Sequence, residues 1–340
     1  MMDINLVKMT STNADLPLYP LRFKTIFKEK IWGGDKVKTI LGKDFSPLKN
    51  CGETWEISGV AGEESVVSEG QLCGKSLPEL IRTYKGSLVG NKIYAQFGDQ
   101  FPLLIKFLDA NDDLSIQVHP GDDLAKVRHN SFGKTEMWYI FQADEGAKLI
   151  CGFKDEVDKE TYLKHLETKT LDKILNQEEV KAGDVFFIPP GRVHTIGKGI
   201  CIAEIQQTSD VTYRIYDFDR VDDNGNKREL HTELALDALD FKCYPKYKSE
   251  YEDKMEEPVN LVTSEYFTTN KIHFTKPINR EYSKLDCFKI FICVEGEFTL
   301  KYAEDKMILK KGDTVLVPAI MQELKLEPIM ESQVLEVYVD

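Results

Sequence analysis

Short runs in which apolar and polar residues alternate, each bounded by Gly, Pro, Asn or Asp, recur along most of the chain. A period of two places successive side chains on opposite faces, so these runs predict antiparallel strands of a sandwich or barrel. They cover residues 54–58, 114–119, 137–142, 185–188, 200–206 and 212–216. Helical patterns are fewer. Ser76-Leu77-Pro78-Glu79 has capping-box spacing and is followed by Leu80, Ile81 and Leu88, which predicts a helix starting there. Between 155 and 176, Val157, Tyr162, Leu163, Leu166, Leu171, Ile174 and Leu175 fit one or two amphipathic helices, with a break at 168–170. That segment is expected to loop out between two strands.

At 340 residues the chain exceeds one average domain. A charged stretch with two prolines, Tyr244 to Pro258, precedes the return of alternation at Val259, and divides the chain into expected units of 1–245 and 246–340. The second unit contains an echo of the first. Lys181-Ala182-Gly183-Asp184 leads through four apolar residues to Pro189, and Lys310-Lys311-Gly312-Asp313 leads through Thr314 and three apolar residues to Pro318. Both read as a Gly-Asp turn entering a buried strand that Pro terminates. The expected fold is mainly β, two β-barrel units with a small helical insertion.

The formal charge of −13 and pI near 5.1 exclude a surface built for nucleic acid or anionic membrane, which needs clustered Lys and Arg. An anionic substrate would need a local basic pocket. Seven cysteines without CxxC spacing read as reduced thiols, and no stretch reaches the ~18 apolar residues of a membrane span. A soluble cytoplasmic protein is expected, as a monomer or homodimer.

Candidate chemistry sits on the strands. Ser115, Gln117 and His119 alternate with Leu114, Ile116 and Val118, which puts three polar side chains on one face. A polar barrel interior would explain them. Glu136 opens an apolar strand, and His194 follows a Pro-Pro-Gly turn that fixes its direction. Two His, one carboxylate and a Gln oxygen suit zinc or another divalent first-row ion, with positions left open for water or substrate. His129, His165, His231 and His273 lie in polar stretches and are expected to face solvent.

Gly183 to His194 fits the second cupin motif, Gly(x)5-Pro-x-Gly-(x)2-His, while the first motif is modified, with Gln117 where its first His would stand. In this the chain resembles the type I phosphomannose isomerases, in their short bacterial form, since only 57 residues separate Glu136 from His194. Ile31-Trp32-Gly33-Gly34, Gly52 to Ser58, Pro102 to Lys106, Lys134 to Met137 and Tyr213 to Arg220 resemble the same family in order. The resemblance implies two cupin-type jelly-roll barrels, interconversion of mannose 6-phosphate and fructose 6-phosphate through a cis-enediol, and one Zn2+ on Gln117, His119, Glu136 and His194. It further implies Arg214 as catalytic arginine and Ser115 and Lys106 as phosphate-binding positions. In the second barrel Ile320 and Glu323 stand where Gly191 and His194 would, so that copy is expected to hold no metal.

The general base has two candidates. Glu204 is a carboxylate in an apolar strand, where burial could raise its pKa, or it is simply ion-paired; Lys134 could carry the proton or partner the phosphate. Arg192 is a further phosphate candidate, and Trp32 and Trp55 candidates for the pocket floor. The alternation of Thr212, Arg214 and Tyr216 places the arginine between two hydroxyls on a pocket wall. Two other readings remain: a cupin metal-dependent oxygenase, tested by oxygen consumption, and a non-catalytic sugar-phosphate-binding module, tested by binding without proton exchange.

Overall fold

A computed structural model describes residues 17–222 and 224–339, with strands in four sheets whose ladders are all antiparallel. In the first half, a large sheet runs in the order Ile26–Lys28, Glu53–Ser58, Leu103–Ala110, Ile200–Gln207, Glu136–Ala143, Val185–Ile188 and Lys248–Ser249. A smaller sheet lies against it, in the order Tyr213–Tyr216, Ile116–Val118, His194–Thr195, Lys148–Phe153 and Leu175–Glu179. The second half repeats the arrangement with five and four strands. The fold is thus mainly β, as expected. The two sheets of each half remain separate rather than closing into one continuous barrel, as a double-sheet jelly roll allows.

Each pair of sheets encloses its own apolar core. Leu108, Trp138, Ile140 and Ile202 of the large sheet meet Leu149 and Cys151 of the small one and Ile196 just after it. In the second half Ile272, Phe291 and Val334 meet Phe298, Leu300 and Leu324. A third core joins the halves: Leu103, Ile105, Phe107, Met137 and Ile205 on the outer face of the large sheet share one cluster with Ile290, Ile292, Leu335 and Val337. Each such side chain fully buried contributes about 1.5–3 kcal/mol, so this contact binds the halves far more strongly than the linking segment can. It also explains why the strands 103–110 and 200–207 are buried along their whole length. A strand covered on both faces reads as a continuous apolar run. Lys106 and Glu204 break that run.

The capping box forms as read. Ser76 Oγ accepts from Glu79 N at 3.4 Å, and the Glu79 carboxylate accepts from Ser76 N at 2.8 Å. The helix Leu77–Tyr84 then stops at Lys85, which has φ +49°, so Leu88 falls in a separate short helix, Gly86–Val89. The segment 155–176 forms the helix Lys159–Glu167 and a single turn Leu171–Lys173, broken at 168–170 and inserted between two strands of the small sheet. The helices Asn91–Phe97, Asp122–His129 and Thr232–Ala238 were not legible, because each is under three turns and carries too few apolar positions to show a period. No helix among the described residues is long and apolar enough to cross a membrane.

The echo is structural. Gly183 and Gly312 have φ of +89° and +88°, where a side chain would be strained, and each turn leads into a strand at the same place in its sheet. Glu136 pairs with Ile188 in the first half; the matching pair in the second is Lys289 with Val317.

Candidate metal centre

Gln117 lies on the middle strand of three in the small sheet, with Arg214 paired across one ladder and His194 across the other. Cross-strand partners share a face, so all three side chains point into the space between the sheets. Ile116 and Val118 point the other way and pack beneath the helical insertion. Leu114 departs from the expected alternation: it precedes the strand and turns inward to the apolar core. From the large sheet, Glu136, Trp138 and Glu204 face the same space, with Lys106 and Trp55 continuing the row.

His119, Glu136 and His194 each present a ligand atom within 4.8 Å of the others, and all three are buried. The imidazoles are oriented from behind. His119 Nδ1 donates to Val211 O at 3.0 Å and His194 Nδ1 to Arg192 O at 2.8 Å. Those bonds place the proton on Nδ1 and turn the Nε2 lone pair toward the centre. Burial holds both rings neutral, His119 well below its ordinary value and His194 down to about 3. Each Nε2 is 3.5 Å from a Glu136 oxygen. Glu136 Oε1 is buried without a hydrogen-bond partner, and burial followed by the Glu204 charge raises its pKa. Gln117 Nε2 lies 3.2 Å from His194 Nε2, and turning the amide about its last bond presents Oε1 instead. Two lone pairs, an unsatisfied carboxylate oxygen and an amide form a donor set that fits a divalent cation.

A positive charge already lies against this set. Lys134 Nζ is 3.0 Å from His119 Nε2 and hydrogen-bonds the Glu136 carboxylate. Burial opposes its charge, but Glu136 and Glu204 outweigh burial and raise its pKa. Glu204 in turn accepts from Lys106 at 3.2 Å and from Trp138 Nε1 at 3.1 Å, with Lys134 3.8 Å away. Of the two readings of Glu204, the ion pair holds and the raised pKa does not. Burial alone would raise it, but the Lys134 and Lys106 ammoniums reverse the direction and keep the carboxyl below its ordinary value.

Other expected residues take different places. Lys106 is tied to Glu204 and lies 5.3 Å over the Trp55 ring; no hydrogen bond among the described residues joins it to Ser115, which is buried two positions before Gln117. Arg192 is neither solvated nor aimed at the centre, because its guanidinium stacks on Tyr244 and Tyr247 at 4.4 and 4.8 Å. Arg214 is half-buried, donates to Glu229 O at 2.9 Å, and keeps a buried Nε without a partner. A bulge after Arg214 opposes two residues to one, which turns Tyr216 outward against Ile116 and away from the arginine's face. Trp32 belongs to the apolar core. Of the four histidines expected in solvent only His129 is exposed. His165, His231 and His273 are half-buried and hydrogen-bonded, His231 Nδ1 accepting the Arg214 N–H at 3.1 Å. Alternation missed Glu53, which takes Trp55 Nε1 at 2.9 Å and Lys30 at 3.0 Å. Its position two residues before Trp55 on an inward face was the available signal.

Facing β-sheets that bury two imidazoles and a carboxylate between them define a cupin-like protein with a site able to hold a divalent metal ion. Residues 20–147 match the catalytic domain of phosphomannose isomerase type I, and residues 258–337 the cupin domain of mannose-6-phosphate isomerase. The chain belongs to the type I phosphomannose isomerase family. It is 36% identical over 319 residues to mannose-6-phosphate isomerase ManA of Bacillus subtilis, covering 92% of this chain and 97% of that one. With mannose-6-phosphate isomerase of Streptococcus mutans it shares 37% over 316 residues, 92% and 96% of the two chains. The crystal structure of the Bacillus subtilis mannose 6-phosphate isomerase superposes with a TM-score of 0.84 at 33% identity, covering 94% of this chain and 99% of that one.

Proposed function

We propose that this chain interconverts mannose 6-phosphate and fructose 6-phosphate, with one Zn2+ held by Gln117, His119, Glu136 and His194. The observation that carries the reading is the buried pair of Nε2 lone pairs beside the unpartnered Glu136 oxygen, with Lys134 alongside. When bound, the ion supplies Lewis-acid polarisation to the open-chain sugar's carbonyl and hydroxyl oxygens. The chain must then move one proton between C1 and C2 on one face of the enediol. Lys134 is the better placed of the two candidates, since its Nζ reaches the ligand cluster while the Glu204 carboxylate is occupied by Lys106 and Trp138. Glu204 serves as the counter-charge that holds Lys134 and Lys106 in place. Arg214, across the ladder from Gln117, contributes a permanent charge beside the developing enediolate and takes no proton. Ser115 and Lys106 are assigned to the phosphate.

All of these groups come from one chain, so a monomer or homodimer suffices. Seven cysteines, none in a disulfide and five of them buried, favour the reducing cytoplasm. A coupled assay of mannose 6-phosphate to fructose 6-phosphate, with and without chelator, tests the reading. Turnover is expected to vanish with the metal and return with added Zn2+; His119→Ala and Glu136→Gln should lower both metal content and turnover. Full turnover by metal-free protein overturns it.

A further inference from the structure

Lys134 lies just before the ladder that fixes Glu136, so the strand pairing that holds the metal ligand does not hold the lysine. Its backbone is secured differently. Lys134 N donates to Pro120 O at 3.1 Å, and the N–H groups on either side go to side chains: Gly133 N to Asp122 Oδ1 at 2.7 Å, and Thr135 N to Gln207 Oε1 at 2.8 Å. Gln207 Nε2 closes the circuit on Asp122 Oδ1 at 3.0 Å. The approach leaves no room for a side chain at 133, where a Cβ would meet Asp122 N at 2.6 Å. Asp122 Oδ2 then accepts from Tyr266 OH at 2.7 Å, and Tyr266 belongs to the second half of the chain, 144 residues away.

We infer that Asp122, anchored by Tyr266 and working with Gln207, is a positioning residue that sets where the Lys134 ammonium sits over the metal centre. The inference rests on the role proposed above for Lys134. It gives the second half, which contributes no ligand, a part in the chemistry. Three donors converge on one carboxylate, and hydrogen bonds to a charged acceptor are about twice as strong as neutral ones. Asp122, Gln207 and Tyr266 also line a cavity of about 350 Å³ between the halves, so water can replace the tyrosine hydroxyl but not the carboxylate's grip on Gly133.

Asp122→Ala should lower kcat by about tenfold or more while KM for mannose 6-phosphate stays within about twofold and metal content is retained, because a displacement near 1 Å is enough for such a loss. Asp122→Asn, which keeps an acceptor at Oδ1, should recover most of the rate. Tyr266→Phe should cost about threefold in kcat, and adding it to Asp122→Ala should cost nothing more, as expected of two groups acting in series. Amide exchange read on the same Tyr266→Phe protein should quicken at Gly133 to Thr135 and stay unchanged along Glu136–Ala143. Undiminished kcat in folded, metal-loaded Asp122→Ala, losses that multiply in the double variant, or unchanged exchange at Gly133 to Thr135 would each overturn the inference. A wild-type protein that fails to isomerise mannose 6-phosphate would instead sink the functional reading, and the exchange measurement would still decide the tie.

Discussion

Replacing Glu204 by Gln separates charge from shape at the centre of the buried row. Glu204 is 3% exposed, and the substituted amide still offers Trp138 Nε1 an acceptor. What disappears is the only carboxylate within 4.0 Å of the Lys106 ammonium among the described residues, whereas Lys134 keeps Glu136. Removing one partner of a buried ion pair costs about 3–5 kcal/mol. The surviving Trp138 bond and the Trp55 face under Lys106 put this case at the low end, about 3 kcal/mol. With about 2.1 cal/mol/K of unfolding entropy per residue over 340 residues, Tm should fall by about 4 °C. The sign with pH is fixed by direction. Glu204 is held below its ordinary value by Lys134 and Lys106 against the pull of burial, so its contribution is present at neutral pH and is lost as pH falls through that lowered value. The gap between wild type and Glu204→Gln should therefore narrow in acid. Scanning calorimetry at pH 7 and pH 4 measures both, and the coupled assay should show turnover down by about tenfold because Lys106 is left without a carboxylate and Lys134 is held by Glu136 alone. A variant melting within about 1 °C of wild type at pH 7, or a gap that widens in acid, refutes the reasoning.

Two further outcomes are expected. In Glu53, burial raises the pKa but Lys106 and Lys30 overcome it and hold the carboxyl at about 2 against an ordinary 4.5; its stabilisation is present above 4.5 and lost toward 2, so Glu53→Gln should flatten the fall in urea stability between pH 5 and pH 3, and equal slopes would exclude this role. Cys73 is exposed, Cys243 partly so and the other five thiols are buried, with burial pushing Cys51 to about 11 and Cys151 to about 12; a thiol reagent should label Cys73 quickly, Cys243 slowly and the rest only on unfolding, and rapid loss of more than two native thiols would contradict the packing.

The residues that line the candidate metal centre are legible because they have local signals. Gln117 and His119 alternate with apolar residues, and His194 follows a Pro-Pro-Gly turn whose geometry is nearly fixed by composition. The capping box at Ser76 was legible for the same reason, since its two bonds span three residues. What alternation could not show is where partners come from across the chain. Glu204 reads equally as a buried acid or an ion-paired one, and the choice is decided by Lys106, which is 98 residues distant in sequence and adjacent across a ladder. Arg192 reads as a phosphate candidate until Tyr244 and Tyr247 fold onto it. Tyr216 was misplaced by one bulge, because a single extra residue reverses the face of everything after it.

The second half shows what makes the first half a site. Glu336 pairs with Phe291, and Phe291 with Val315, as Glu204 pairs with Trp138 and Trp138 with Phe186; the two glutamates thus occupy equivalent places between their sheets. Glu336 is completely satisfied: Arg280 donates to it at 3.0 and 2.9 Å, Asn270 at 3.1 Å, and Tyr282 completes the set. Where the first half has Glu136, the second has Lys289, whose ammonium reaches Pro318 O at 3.3 Å and Met321 O at 2.7 Å. There the cation is covalently part of the chain, and two of its three donors go to backbone carbonyls. In the first half Lys134 reaches His119 Nε2 and the Glu136 carboxylate, Gln117 Nε2 lies at His194 Nε2, and Glu136 Oε1 stays unpartnered. Burying a carboxylate without full compensation is unfavourable, a shortfall that a divalent ion bound there would relieve. The same sheet pair therefore yields a saturated core where the chain partners the buried glutamate in full, or a site able to hold a divalent ion where two imidazoles and an unpartnered carboxylate oxygen converge.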